Sequence, residues 1–169
     1  QEDVLKQVNH TVASTAVSLV VDDPELKDAS GNPVRIIRTA ETNLGDLCAD
    51  AFRDQSGADI AFMNGGGIRA GIEKGDISYK NIIDVFPYGN TLCVVEVTGQ
   101  QILDALEWGS RAVPSESGAF LQVSGLSYTI DSKVSNPCQQ DENGMFLSVE
   151  GERRVKNVKV GEEPLDPEK

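Results

Sequence analysis

The stretch Asn64-Gly65-Gly66-Gly67-Ile68-Arg69 holds the residues of this chain best placed to do chemistry. Three successive glycines put no side chain between the backbone and a ligand, and they take positive φ at no steric cost. Their N–H groups can face an anion, and Arg69 adds a planar fork suited to phosphate or carboxylate. Asn64 brings an amide that both donates and accepts, which suits a base edge or a sugar hydroxyl. The same residue types also describe a tight glycine turn with a solvated arginine.

Such a loop needs elements to hold it. The run Ala58-Asp59-Ile60-Ala61-Phe62-Met63 reads as a buried strand that delivers Asn64. Before it, Leu44, Leu47, Cys48, Ala51 and Phe52 recur at helical spacing, with Thr42 or Asn43 as N-cap and Ser56-Gly57 as the stop. Val4 and Val8 fit the tail of an incoming helix over residues 1–9, Thr11 to Val20 alternates as a strand, and Asp22 to Pro33 reads as a surface loop. After the glycines, Ala70 to Ser78 reads as a loop with room for a short strand. A short helix capped by Ser78 then ends before Pro87, and Tyr88 sits at the tip of a turn. Thr91 to Val97 predicts a strand, and Thr98 caps a helix running through Trp108. The rest is β: Phe120–Val123, Leu126–Ile130, Phe146–Val149 and Val155–Val160.

At 169 residues the chain has the size of one domain, enough to bury about 70% of its unfolded surface. A net charge of −12 excludes non-specific binding to a nucleic-acid polymer, which needs clustered Lys and Arg. An anion site must therefore rest on a few local arginines working against the overall field. No apolar run is long enough to span a membrane. The three cysteines, Cys48, Cys93 and Cys138, have no CxxC spacing and there is one histidine, so the usual zinc donor set is not present. Cys48 and Cys93 lie in apolar stretches and read as core residues.

Two nucleotide-binding templates fail on the glycine loop. Ile68-Arg69 stands where a P-loop needs Lys-Ser/Thr. Gly65-x-Gly67-x-x-Ala70 meets the dinucleotide spacing, but Gly71 and the charges behind it argue against the helix that fingerprint requires. A third pattern fits better. Arg38-x-x-Glu41-Thr42-Asn43-Leu44-Gly45, Asn64-Gly65-Gly66-Gly67-Ile68-Arg69, Gly75-Asp76-Ile77-Ser78, Phe86-Pro87-Tyr88-Gly89-Asn90 and Thr98-Gly99 occur in this order. Together they resemble the C-terminal domain of the 5′-nucleotidase family, which includes nucleotide hydrolases, UDP-sugar hydrolases and cyclic-nucleotide phosphodiesterases. The resemblance runs from about Val12 to the end.

The resemblance implies an α/β (α+β-like) fold, a single domain with a mixed β-sheet and flanking helices. Residues 1–10 would be the end of an interdomain helix or linker and residues 11–169 the domain, stopping before a last strand and a loop bearing a second aromatic. It implies substrate recognition in a hydrolase whose N-terminal metallophosphatase domain holds a divalent metal pair such as Zn or Mn. This chain itself would carry no cofactor and no catalytic residue, and would be inactive alone. Position by position, Arg38 and Arg69 match family arginines that meet the phosphate, Asn64 the residue that bonds the nucleoside, and Tyr88 an aromatic that stacks on the base. Gly65, Gly66 and Gly67 complete the substrate-binding set. Arg35 could join the cations or be a solvated strand residue, and Glu41 could orient an arginine or support the helix start. The family context implies an extracellular, periplasmic or cell-wall location. Two other functions fit the residues: a stand-alone nucleotide or sugar-phosphate binding module, and a structural domain whose loop binds nothing.

Overall fold

The computed structural model describes residues 8–169, so most of the incoming helix expected over residues 1–9 lies outside the described residues. Strand β1 (Thr11–Thr15) pairs antiparallel with β5 (Gly75–Ser78), Thr15 opposite Gly75. The expected single strand to Val20 is broken in two. The Thr15 hydroxyl donates to the Val17 carbonyl at 2.7 Å, turning the chain, and pairing resumes only where Leu19 bridges Ile72. The loop expected over residues 22–33 contains a small exposed hairpin, β2 (Asp23–Lys27) with β3 (Pro33–Val34). Asp23 is spent inside it, accepting from the Glu25 and Leu26 amides.

Helix α1 (Asn43–Ser56) starts and stops where its residues dictate. Thr42 caps it by accepting from the Gly45 amide at 3.0 Å, and Gly57 ends it at φ 68. Its inner face (Leu44, Cys48) joins Ile37, Met63, Ile68, Ile72 and Val85 in the main core. Strand β4 (Ala61–Asn64) follows and pairs antiparallel with β6 (Leu121–Ser124), placing Asn64 opposite Leu121. Helix α2 (Tyr79–Val85) has a capping box between Ser78 and Asn81, and α3 (Gly99–Ser110) has one between Thr98 and Gln101. Strands β7 (Leu126–Ile130), β10 (Val155–Val160) and β11 (Glu163–Pro164) form a sheet in the order β11-β10-β7, and β8 (Cys138–Gln140) pairs with β9 (Phe146–Val149). A second core of Ile102, Leu106 and Val155 lies under α3. The carbonyls at the end of α3 are met from β10's approach: buried Arg154 donates to the carbonyls of Ser110, Arg111 and Val113.

The α/β class holds, with helices between strands in one folded unit. Among the described residues, however, its β-structure is divided into five small antiparallel sheets instead of one mixed sheet. Thr91 to Val97 departs most from expectation. The segment forms no strand, and none of its backbone groups is hydrogen-bonded among the described residues. Val94 and Val95 are 65% and 73% exposed, and Cys93 lies on the surface instead of in a core. Its β-branched residues favour a strand, but propensity cannot supply the neighbouring backbone that a ladder requires.

Two outcomes follow from these packings. A Cβ on Gly45 would lie 2.0 Å from the Gln122 side-chain oxygen. Gly45→Ala should therefore cost about 2 kcal/mol or more by denaturant melting, overpacking outweighing the helix-propensity gain of about 1 kcal/mol. The amides of residues 91–97 should exchange with solvent at close to unprotected rates, whereas those of β4 and β6 are slow; protection across 91–97 measured by hydrogen exchange would contradict the unpaired geometry.

Candidate functional site

The glycine loop is built by close approach. Gly65–Gly67 form one 3-10 turn, and none of the three has positive φ. A Cβ on Gly65 would stand 2.1 Å from the Ile37 carbonyl oxygen, one on Gly66 2.8 Å from the Gly118 Cα, and one on Gly67 2.4 Å from the Met63 methyl. Their side-chain-free backbones thus let two other segments press in: the 3-10 turn Ile36–Arg38 and the loop around Gly118. The Gly65 amide donates to the Phe120 carbonyl at 2.7 Å and the Gly66 amide to the Gly118 carbonyl at 3.0 Å. Those two N–H groups are spent internally and do not face an anion.

What the loop does is bring arginines together. Arg38, at the end of its turn, is held below the usual arginine range first by desolvation and then by the positive charges of Arg35 and Arg69. Arg38 therefore feels two other guanidiniums, Arg35 from its own stretch of chain and Arg69 from the distant glycine loop. Arg38 makes no side-chain hydrogen bond or ion pair among the described residues, while Arg69 donates to the Gly66 carbonyl at 3.2 Å. Arg35 is engaged differently: Glu116 accepts its Nε at 2.8 Å and its backbone amide at 3.0 Å. Asn64 donates to the Gly118 carbonyl at 3.0 Å and remains exposed at the mouth of the loop. The Arg69 amide donates to the Val85 carbonyl at 3.0 Å, tying the loop to the end of α2. Tyr88 follows three residues later, 54% exposed, with its ring open to a partner.

Reading the sequence missed the 116–118 loop and Gln122. Ser117 donates its amide to the Arg38 carbonyl at 3.1 Å, so this loop touches Arg35, Arg38, Asn64 and Gly66. Its Ser and Gly are turn formers, and nothing in them says what the turn meets. Glu41 makes no ion pair with an arginine among the described residues. It lines a cavity of about 430 Å³ together with Asp46 and Tyr128, and its side chain lies against that of Asp46. Burial there, with the charges of Glu41 and Asp50, pushes the Asp46 carboxyl up to about 6. Phe120 is buried as core, and burial pushes the Cys48 thiol up to about 12, which makes it an unreactive core residue. Among the described residues no group of three or more His, Cys, Asp or Glu side chains is arranged to hold a metal ion. No helix there is long and apolar enough to cross a membrane.

Residues 15–169 match the family described as 5′-nucleotidase, C-terminal domain. The chain belongs to that family. The trifunctional nucleotide phosphoesterase protein YfkN of Bacillus subtilis (strain 168) is 52% identical over 97 residues, 55% of this chain and 7% of that protein. Protein UshA of Escherichia coli (strain K12) is 36% identical over 133 residues, 79% of this chain and 20% of that protein. The crystal structure of a 5′-nucleotidase precursor from Thermus thermophilus superposes with a TM-score of 0.77 at 34% identity, covering 99% of this chain and 29% of that one. The chain thus spans a fifth or less of the two curated relatives and under a third of the solved one.

Asp46 gives this site's surroundings a pH signature. Its folded pKa lies above the usual 3.8, at about 6, so the ionised form is disfavoured by folding. Its contribution to stability is fully present below pH 3.8 and is lost as pH rises through 6. Asp46→Asn should therefore melt higher than the parent chain at pH 7.5 and close to it at pH 3.5. A difference that is constant across that range would remove the titration from the account.

Proposed function

We propose that this chain is the substrate-recognition domain of an exported 5′-nucleotidase-type phosphoester hydrolase, binding a nucleoside or nucleotide ligand. In this reading Arg38 and Arg69 meet the phosphate, Asn64 bonds the nucleoside through its free carbonyl oxygen, and Tyr88 stacks on the base. Gly65, Gly66 and Gly67 contribute as the site's frame, since they set the distance between the two arginine-bearing turns. The observation that carries the reading is the convergence of Arg38 and Arg69, neither held in an ion pair, in one electrostatic neighbourhood of an otherwise acidic chain. Such a pair costs repulsion and desolvation unless an anion enters. The names of the relatives supply the ligand class, a nucleotide phosphoester.

Bond cleavage is assigned to an N-terminal metallophosphatase domain of the same parent chain, where a divalent metal pair such as Zn or Mn would activate the attacking water. Residues 1–10 lead in from that domain, and residues 11–169 are the recognition domain. The isolated chain then binds without turning over, and the parent works outside the cytoplasm, in the periplasm, at the wall or beyond it.

Titration with AMP should shift the amides around Asn64, Arg69 and Tyr88 by NMR, with adenosine moving the Arg69 region less. Arg69→Ala should weaken AMP binding about tenfold, the scale of one charge-assisted contact, and should raise KM for AMP in the complete enzyme. Unmoved amides at millimolar AMP, or an unchanged KM, would overturn the assignment.

A further inference from the structure

Arg35 and Arg38 stand three residues apart in sequence, face the same field as Arg69, and are treated in opposite ways by the fold. Glu116 grips Arg35 with both carboxylate oxygens: Oε2 accepts from Nε at 2.8 Å and Oε1 from the backbone amide at 3.0 Å. Arg38 has no such partner among the described residues. Its field also includes one other carboxylate, Asp22, which makes no ion pair with any of the three arginines. The Arg35–Glu116 pair is half in water, with side chains 49% and 26% exposed, so its Coulomb energy alone adds little to stability. Its larger effect is on the charge offered to a ligand. Glu116 offsets one guanidinium and fixes its direction, leaving Arg38 and Arg69 as the open cations.

We propose that Glu116 is a specificity-determining residue of the anion site: by occupying Arg35 it limits the site to two available guanidiniums and so favours a phosphomonoester over a diphosphate. The proposal rests on the phosphate-binding reading above and deepens it. A monoester dianion is matched by two cations. A diphosphate carries more charge over a longer span and would need Arg35 as well. Glu116 does not touch the ligand in this scheme. It acts through Arg35, and neutralising it releases Arg35 toward the site while raising the local positive charge by one unit.

The test uses inorganic phosphate and pyrophosphate as probes, titrated calorimetrically into this chain at low salt. The parent chain should bind phosphate and gain little from pyrophosphate. Glu116→Gln keeps an oxygen acceptor for the Arg35 amide but removes the charge, and should raise the pyrophosphate-to-phosphate affinity ratio about tenfold, an effect that shrinks as salt is added. Adding Arg35→Gln to that variant should return the ratio to the parent value, which a merely structural role for Glu116 would not do. Arg35→Gln alone leaves Glu116 unpaired and should weaken pyrophosphate more than phosphate, so the proposal is still tested if Glu116→Gln fails to fold. An unchanged ratio in a folded Glu116→Gln chain that still binds phosphate overturns the proposal and leaves the phosphate reading intact. Binding of neither anion by the parent chain overturns both.

Discussion

The buried amide of Gln122 is the interaction on which the geometry of this domain depends. Its oxygen accepts the Thr42 amide at 3.1 Å, and its nitrogen donates to the carbonyls of Ile37 and Ala40 at 3.0 and 2.8 Å. Three backbone groups from the turn and helix start that carry Arg38 are thereby satisfied by one side chain on β6. Each would cost about 1–3 kcal/mol if left buried and unpaired. The amide can reach them only because residue 45 has no side chain, since a Cβ there would overlap its oxygen. Asn43-Leu44-Gly45 at a helix start thus has a long-range purpose. The helix accepts a poor helix former so that a strand far along the chain can lock the preceding turn.

The glycine loop follows the same logic. Its glycines admit the Ile37 carbonyl and the Gly118 backbone, and the amides of Gly65 and Gly66 are consumed by the carbonyls of Phe120 and Gly118. Backbone is therefore used for rigidity, and the guanidiniums of Arg38 and Arg69 are left without a carboxylate partner among the described residues. This division suits an acidic protein. Backbone amides alone would bind an anion weakly against a net charge of −12, whereas two convergent arginines create a local positive field. Their repulsion is tolerated because the turns bearing them are held from behind by Gln122 and by the 116–118 loop, which bonds Arg35, Arg38, Asn64 and Gly66 at once.

Much of the local structure was legible without coordinates, for reasons that stay within a few residues. The caps of α1, α2 and α3 depend on Thr or Ser hydroxyls three positions from the amides whose hydrogen bonds they accept; Ser78 and Thr98 cap as expected, and of the two candidates Thr42 and Asn43 the structure uses Thr42. The strands around Leu126–Ile130, Phe146–Val149 and Val155–Val160 match their alternating patterns. What failed was pairing. Thr91–Val97 has strand composition without a strand, and the residues around Lys27 and Pro33 form a hairpin without one. Ladder formation needs two segments to meet, and a single stretch of sequence describes only one of them.

The sequence by itself determined the helices and their caps, the family pattern of Arg38, Asn64, Arg69 and Tyr88, and the acidic charge against which any anion site must work. Tertiary structure alone decided which arginine is open and which is occupied. Arg35 and Arg38 look equivalent in Arg35-Ile36-Ile37-Arg38, and the carboxylate that separates them, Glu116, lies far along the chain. It decided also that the three glycines serve close packing instead of positive φ, because the atoms that exclude a Cβ belong mainly to Ile37 and Gly118. Composition and spacing encode what a residue can do; the neighbours that limit it are set when distant segments pack, since desolvation and hydrogen bonding act through space and not along the chain.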